Sequence, residues 1–477
     1  MTANFGGNAR ATSAVPVRPV LLLEINEVPW RVIDKVLADP RFPNTRRFFQ
    51  EAATFTTISR DTGELSPWVT WPSLHRGMTN RDHAVKNLGQ DVATFRGTPI
   101  WEEYRAQGHS IGICGSLQSW PPRDPGEGGF FIPDTFAHDA SCIPSYIEPL
   151  QQFNLDQVRK NGRVLRQDPK LALQSLRLLP AAIRSKIRPR TCARIARQVL
   201  GERLDKVRLA RRPIFQSVLY WDVFKGLFDA ARPPAFSTFF TNHVAGIMHR
   251  YWDDVFPEDF AERSKARHPH AETMEFALAF MDEMLGDALR WKERCPELIL
   301  VFATSMGQAA IRRDHSGMES SIADLAKFMG AFGLAPSSYK PLLAMVPQVA
   351  IEIADEGQRR AFKRAVDAAR TVSGASLFIV DEVGASVSVT LLSPSRADLE
   401  KHGFFRAEAD EIAWEDAGIS RYEIEAGTAY HVPEGVLAIN GDRVAPSTAR
   451  APMEATAVKS YVMELSGLGR TPVQRSA

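Results

Sequence analysis

The chain has 477 residues, of which 44% are hydrophobic and 24% charged, as in globular proteins that bury a sizeable core. Its 58 Lys and Arg residues nearly balance its 56 Asp and Glu residues, which excludes the strongly basic composition of many nucleic-acid-binding proteins and gives no sign of an electrostatic membrane anchor. Four scattered cysteines are typical of reduced thiols, and neither a signal peptide nor a membrane-spanning stretch is recognisable. We therefore expect a cytoplasmic protein without nucleic-acid or membrane partners, whose oligomeric state is unknown.

The predicted elements alternate between strands and helices. Val20 to Ile25 is a continuous apolar run, which favours a strand buried on both faces of a parallel sheet. Further strands are predicted at 111–114, 236–240 and 298–303, and helices at 30–37, from 43 onward and at 274–291. This order predicts an α/β protein with a doubly wound, mostly parallel sheet flanked by helices. Ligands bind such sheets at the carboxyl ends of the strands.

Two stretches interrupt the alternation, and they define the predicted domain boundaries. The first is basic and helical, and it could be a charged cap or a lid that guides anions. The second mixes strand-like runs with a helix at 358–370 and is interpreted as a small α+β insertion. The predicted division is a flexible N-terminus (1–19), core α/β domain (20–152), basic helical insertion (153–228), core (229–340), small α+β insertion (341–426) and core (427–477).

Two hydroxyl residues, Ser66 and Thr70, are each followed closely by a proline, the residue favoured in the first turn of a helix. A hydroxyl at the N-terminus of a helix faces backbone N–H groups and the positive end of the helix dipole. That position suits phosphoryl or sulfuryl transfer, because the reacting group is an anion.

Polar residues follow several of the predicted strands. They are Glu24, Asn26 and Glu27 at the first strand, Trp120 in the loop after the second, Asn242, His243 and His249 after the third, Ser305 to Gln308 after the fourth, and His431 near the end of the chain. The carboxyl ends of parallel strands share one edge of a sheet, so these side chains are candidates for one active site.

Several of these segments resemble motifs of the alkaline phosphatase superfamily, in its type I phosphodiesterase/nucleotide pyrophosphatase branch. The first strand resembles the family's apolar strand that ends in Asp-Gly. Thr70-Trp71-Pro72-Ser73 resembles the Thr-aromatic-Pro-Asn motif that opens the nucleophile helix. Thr79-Asn80 resembles the Thr-Gly at which that helix ends. Asp82-His83-Ala84-Val85 resembles the family's His-Gly-Ile, and His249-Arg250-Tyr251-Trp252 resembles its His-x-x-Trp motif. Residues 301–305 resemble the strand that enters Ser-Asp-His-Gly. His431-Val432-Pro433-Glu434-Gly435 resembles the final His before Pro-Glu-Gly-Val.

The resemblance implies an enzyme with two metal ions, usually zinc, but several ligand positions differ. Asn26 stands where the family has an aspartate. The family's second aspartate, one turn before His249, falls at Ala245, and Asn242 could substitute for it. Met306-Gly307 replaces the Asp-His pair after the fourth strand. His249 and His431 are thus the metal ligands that the resemblance retains. Glu24 or Glu27 could replace a lost carboxylate, and Asp314-His315 could supply a displaced pair.

The sequence therefore predicts an enzyme that cleaves or transfers a phosphodiester or phosphate ester of a small anionic molecule. Thr70, with Ser66 as the alternative, is the expected nucleophile, and His249 and His431 would bind a divalent metal, zinc above all, or handle protons. Glu24 is a candidate metal ligand, and Asn26, Asn242 and Trp120 are candidate substrate-binding residues. Two alternatives stay open: a metal-independent transferase or lyase, and a non-catalytic binding protein on the same scaffold.

Overall fold

A computed structural model of the chain describes residues 17–160, 181–184, 186–260, 268–311, 318–344, 348–392, 402–407, 410–423 and 428–468. Within these ranges the strands are β1 Val20–Ile25, β2 Ala53–Ile58, β3 Ile111–Cys114, β4 Phe130–Ile132, β5 Phe236–Thr241, β6 Ile299–Ala303, β7 Gly307–Ala310, β8 Met318–Ile322, β9 Lys340–Leu342, β10 Gln348–Glu352, β11 Phe378–Val383, β12 Ser386–Leu391, β13 Phe404–Ala407, β14 Asp410–Ala413, β15 Ile419–Glu423, β16 Ala429–Val432, β17 Glu434–Asn440 and β18 Ser447–Glu454.

The α-helices of the same ranges are α1 Trp30–Ala38, α2 Pro43–Gln50, α3 Pro67–Arg76, α4 Asn80–His83, α5 Ile100–Ala106, α6 Glu148–Lys160, α7 Ala181–Arg184, α8 Pro189–Leu204, α9 Arg212–Leu227, α10 Ala245–Val255, α11 Ala271–Arg294, α12 Leu325–Ala331, α13 Glu356–Ala368 and α14 Val458–Ser466. No helix among these residues is both long enough and apolar enough to cross a membrane.

An eight-stranded sheet forms the centre of the molecule, with the strand order β18-β2-β17-β6-β1-β5-β3-β4. β17 runs antiparallel to its neighbours β2 and β6, while the remaining pairings in this sheet are parallel. The expected α/β class with a mostly parallel central sheet flanked by helices is confirmed.

Alternate residues of β1 face two separate apolar cores, which explains why the strand is apolar throughout. Leu21, Leu23 and Ile25 belong to the core formed with α1, α2, α9, α10 and α11, whereas Val20 and Leu22 belong to the core formed with α3, α5 and α14. The strand is therefore covered by helices on both faces, and its polar residues come at its carboxyl end.

A smaller unit is built on the four-stranded antiparallel sheet β11-β12-β10-β9, packed against α12 and α13 around a third apolar core. That core also includes Ile322, Phe328 and Leu334, which precede residue 341, the predicted start of the small insertion.

The small sheet lies against the segment that follows α4. Asp381, Ser388, Ala350 and Leu342 stand side by side across its four strands. Lys86 Nζ lies 3.8 Å from Asp381 Oδ1 at one end of this row. At the other end, a Cβ atom on Gly89 would approach the Leu343 nitrogen to 2.7 Å and the Leu342 side chain to 3.1 Å. Residues 86–89 therefore cross the small sheet along this row.

Candidate active site

Several elements bring polar residues to the carboxyl edge of the central sheet. Asn26 and Glu27 follow β1 directly, and the backbone N–H of Asn26 still donates to Thr241 O of β5 at 3.0 Å. His249 lies on α10, which follows β5, and His431 lies on β16, just before the antiparallel strand β17 begins at this edge. Residues far apart in sequence thereby meet at the place where a doubly wound sheet binds its ligand.

Glu27, His249 and His431 form a cluster at this edge. Oε2 of Glu27 lies 2.8 Å from Nε2 of His249 and 3.4 Å from Nε2 of His431. One ligand atom from each of the three residues falls within 4.8 Å of the others, and no other group of this kind occurs among the described residues. Glu27 is buried and both histidines are partly exposed, so the cluster is open on one side.

Backbone carbonyls orient both imidazole rings toward Glu27. Nδ1 of His249 lies 3.1 Å from Ala429 O, and Nδ1 of His431 lies 2.6 Å from Leu65 O. A carbonyl oxygen only accepts hydrogen bonds, so each Nδ1 carries the proton and donates. In the neutral ring, Nε2 then has a free lone pair. This is the arrangement that fixes metal-binding histidines.

The Glu27 carboxylate is held on both of its oxygens. Asn26 Nδ2 donates to Oε1 at 2.7 Å, and Gln308 Nε2 donates to Oε2. Burial by itself raises the pKa of the Glu27 carboxyl, but the charges of the His431 and His249 rings outweigh it and hold that pKa well below its usual range. Burial likewise lowers the pKa of His431, yet the opposing effect of Glu27 leaves it raised. The site therefore keeps Glu27 ionised.

Asn26 was expected to bind substrate, and its amide is fully occupied by protein groups. Its Oδ1 accepts from Trp71 Nε1 at 2.9 Å, and its Nδ2 donates to Glu27 and also to Asn242 Oδ1 at 2.7 Å. Asn26 is buried, whereas Asn242 is exposed. The structure thus brings Asn26 and Asn242 together beside the cluster, with Asn242 on its solvent side.

Helix α3 begins beside this cluster. Ser66 is its N-cap residue, and the side chain makes no capping hydrogen bond. The carbonyl of the preceding residue, Leu65, is the one that accepts from His431. Ser66 itself is buried, with 8% of its surface exposed, and the Leu65 contact places this end of the helix beside the Glu27 cluster.

Thr70 lies one turn inside the helix and not at its N-terminus, which differs from the expectation for the nucleophile. Its side chain is fully buried, and its Oγ1 donates to Ser66 O at 3.3 Å and lies 2.7 Å from Ser305 Oγ. The reason is that Pro67, not Pro72, opens the helix, since Ser66 has extended backbone angles and Pro72 falls within the helical stretch.

Glu24, a candidate metal ligand, is placed elsewhere. Successive residues of a strand face opposite sides of the sheet, and Glu24 points into the core below the edge. Its Oε1 lies 2.8 Å from His75 Nε2, and both side chains are fully buried. Glu27, and not Glu24, belongs to the cluster because it lies past the end of β1, where its own φ of +59° turns the chain.

Trp120, expected to contact substrate, stacks on His138 with ring centroids 4.6 Å apart and donates from Nε1 to Asp139 Oδ1 at 3.1 Å. Its partners therefore lie in the segment that follows β4. Asp314 and His315, the alternative ligand pair, lie outside the described residues.

The replaced ligand positions serve other purposes. Met306 is fully buried and apolar, and Gly307 begins β7, whose next residue, Gln308, pairs in register with His431 of β16. Gln308 also donates to the carbonyl of Ala245 at 3.3 Å. The sequence predicted Gln308 only as one of the polar residues after the fourth strand, without a role of its own. The signal for it is its place directly after the position of the lost Asp-His pair.

No family profile matches the chain, and neither does any curated protein. Solved structures similar to it include murine ectonucleotide pyrophosphatase/phosphodiesterase 5, at 12% identity with a TM-score of 0.45 over 96% of this chain and 97% of that one. The human protein of the same name gives 11% identity and a TM-score of 0.44 over 96% and 97%. Phosphonoacetate hydrolase from Sinorhizobium meliloti gives 12% identity and a TM-score of 0.40 over 94% and 96%.

The donor set of the cluster fits a divalent metal ion. Two imidazole nitrogens and one carboxylate oxygen are the usual protein ligands of a catalytic zinc site, which leaves a further position open for water or substrate. A bound ion of this kind is chemically matched to an anionic substrate, and the N-terminus of α3 lies beside the cluster through the contact of Leu65 O with His431. The arrangement can therefore bind an anion beside a free hydroxyl.

Proposed function

We propose that the chain is a metal-dependent enzyme that cleaves or transfers a phosphate ester or phosphodiester. The observation that carries this proposal is the cluster of Glu27, His249 and His431 beside the N-terminus of α3. The motif resemblance to the alkaline phosphatase superfamily supports the choice of a phosphate ester over other anionic esters. A divalent ion at the cluster would supply the positive charge that ionises a hydroxyl and stabilises charge developing on ester oxygens.

We propose one metal ion and not two. The amide oxygen of Asn26 already accepts from Trp71 Nε1, and Met306 and Gly307 offer no imidazole or carboxylate in place of the Asp-His pair. A single ion held by two neutral imidazoles and one carboxylate carries a net charge of +1, which suits an anionic substrate.

Ser66 is the nucleophile that the geometry favours. Its hydroxyl makes no capping bond, and the carbonyl before it contacts His431, whereas Thr70 Oγ1 is buried between Ser66 O and Ser305 Oγ. In the reaction, Ser66 Oγ forms a bond to phosphorus as the bond to the leaving alcohol breaks, and the alcohol departs with the serine proton. Water or another alcohol then cleaves the phosphoserine bond and restores the hydroxyl.

Metal analysis and one hydrolysis assay test the proposal. We expect purified protein incubated with zinc to retain one ion per chain, and to hydrolyse a generic aryl phosphodiester in a reaction that a chelator abolishes. Ser66→Ala should remove turnover without removing the metal. Thr70→Val, which keeps the shape of the side chain, is the matched control and should keep most of the activity. Absence of metal and of turnover in the wild type would reject the proposal, and loss of turnover in Thr70→Val but not in Ser66→Ala would reassign the nucleophile.

A second candidate is a metal-independent transferase or lyase. The observation that favours it is that the Glu27 carboxylate already has four partners in the protein: Asn26, Gln308, His249 and His431. Turnover that survives exhaustive chelation would favour this candidate over the first.

A further inference from the structure

Helix α3 is joined to strand β1 by two polar contacts between their side chains. Trp71 Nε1 donates to Asn26 Oδ1 at 2.9 Å, and His75 Nε2 lies 2.8 Å from Glu24 Oε1. Glu24, Trp71 and His75 are fully buried, and Asn26 is 1% exposed. We refer to these two contacts as the α3 latch.

The spacing of the two contacts matches the repeat of both elements. Glu24 and Asn26 are two residues apart, roughly 6.6 Å along a strand, and therefore face the same side of the sheet. Trp71 and His75 are four residues apart, roughly 6 Å along a helix, and share one helix face, with their rings stacked at 5.6 Å. A slip of α3 by one residue would break both contacts at once, so the latch fixes the register of the helix on the strand.

The direction of the helix follows from the same contacts. The later helix residue, His75, meets the earlier strand residue, Glu24, so α3 runs antiparallel to β1 and its N-terminus extends past the carboxyl end of the strand. Ser66 is five residues before Trp71, roughly 7.5 Å further along the axis. The latch therefore determines how far Ser66 reaches toward Glu27, the next residue after Asn26.

Trp71 also acts on Glu27 through the Asn26 amide. An indole N–H only donates, so it requires the oxygen of the amide to face it. Both hydrogens of the amide nitrogen are then directed to Glu27 Oε1 and Asn242 Oδ1. If the indole N–H were removed, the amide could rotate and present its oxygen to the carboxylate, and the Glu27 orientation would no longer be fixed.

The Glu24–His75 contact lies within an otherwise apolar core. Its neighbours include Leu22, Leu74 and Trp101, whose ring lies 4.9 Å from that of His75. Oε2 of Glu24 and Nδ1 of His75 have no partner among the described residues. A buried polar pair with unpartnered atoms adds little stability compared with apolar side chains of similar size. Its contribution is therefore directional, since a hydrogen bond selects one register and an apolar contact does not.

We propose that Trp71 and His75 are positioning residues of the active site, which set the metal affinity of the Glu27 cluster and the placement of the Ser66 hydroxyl. This inference rests on the proposed metal-dependent function. Neither residue touches substrate: Trp71 acts through Asn26, and His75 acts through the register of α3.

The first test compares two tryptophan variants. Trp71→Phe removes one indole N–H and keeps a ring. The matched control is Trp221→Phe, because Trp221 is also buried and donates from Nε1 to Asp287 Oδ2 at 2.9 Å, in a helix of the basic insertion. We expect zinc affinity, measured by competition with a chromophoric chelator, to fall 10- to 100-fold in Trp71→Phe, as for other residues that orient metal ligands, and to stay unchanged in Trp221→Phe.

Equal zinc affinity in Trp71→Phe and the wild type would overturn the proposal, and so would an equal loss in both variants. If the wild type binds no zinc, the proposed function fails and the latch is tested on the metal-free protein. Nitrogen NMR of the His249 and His431 side chains should then show shifted Nε2 resonances in Trp71→Phe but not in Trp221→Phe. Unchanged resonances in both would overturn the proposal.

The second test replaces the polar pair by an apolar one. We expect the double variant Glu24→Leu/His75→Phe to unfold at a temperature equal to or above that of the wild type, because it buries no unpartnered polar atom. Its kcat on the aryl phosphodiester should fall at least 10-fold with little change in KM, since Ser66 would no longer be held in one position. A stable double variant with wild-type kcat would show that His75 has no positioning role.

Discussion

His243 is expected to make the protein sensitive to mild acid. Its ring is enclosed, with Nδ1 2.7 Å from Thr241 Oγ1, Nε2 3.2 Å from Ala277 O and the Phe280 ring 5.0 Å away. Burial lowers the pKa of His243 to about 3, whereas the unfolded chain takes up the proton near pH 6.5. Between these two values only the unfolded state binds the proton, so stability falls as the pH falls.

The expected loss follows from the two pKa values. Between pH 7.5 and pH 5, protonation of the unfolded state alone lowers the free energy of unfolding by about 2 kcal/mol. His243→Gln cannot take up a proton but can still donate to Ala277 O. We therefore expect the free energy of unfolding, measured in urea, to fall between pH 7.5 and pH 5 by about 2 kcal/mol less in His243→Gln than in the wild type. His109→Gln, at a partly exposed ring, is the control, and equal pH dependence in the wild type and His243→Gln would refute the reasoning.

Two further substitutions test packing around the sheet. Lys225→Met should lower the free energy of unfolding by about 3 kcal/mol in urea titrations, because it leaves the buried carboxylates of Asp222 and Asp287 without the ammonium group that lies 2.9 Å and 3.3 Å from them. Gly307→Ala should lower the free energy of unfolding by about 1–3 kcal/mol and weaken zinc binding. A Cβ atom at residue 307 would lie 2.4 Å from Glu434 O and would displace β7.

Controls for these two variants are available on the surface. Arg232→Met removes a cation that is 90% exposed, and Gly330→Ala adds a Cβ atom with nothing within 4 Å. Neither control should change the unfolding midpoint by as much as its buried counterpart. If Lys225→Met or Gly307→Ala matched its control, the corresponding argument from burial or close contact would be wrong.

The central strands could be predicted because their physical signal is local. β1 and β3 have the predicted bounds, since continuous apolar runs arise wherever a strand is buried on both faces. β2, with sequence ATFTTI, went unpredicted because its alternating threonines give no such run, and the antiparallel course of β17 depends on pairing with distant strands. These features depend on tertiary contacts and not on local pattern.

The site could be predicted in part for a similar reason. The meeting of His249 and His431 followed from strand-end positions, and the structure places them with Glu27. The choice between Glu24 and Glu27 depended on which partner the Glu24 side chain meets in the core and on how the chain turns after β1, which side-chain types do not specify. Likewise, whether Ser66 or Thr70 stands at the start of α3 depended on which proline opens the helix. Because the helix opens at Pro67 and not at Pro72, Thr70 lies inside the helix and is fully buried.

The passage of residues 86–89 across the four-stranded sheet has a practical consequence. That segment begins three residues after α4, and its Gly89 fits so closely against Leu343 that a methyl group would collide. The smaller unit thus packs against the chain that follows α4. Excising it to obtain a minimal catalytic fragment would remove the contacts that Asp381, Leu342 and Leu343 make with residues 86–89, so the fragment should be less stable than the whole chain.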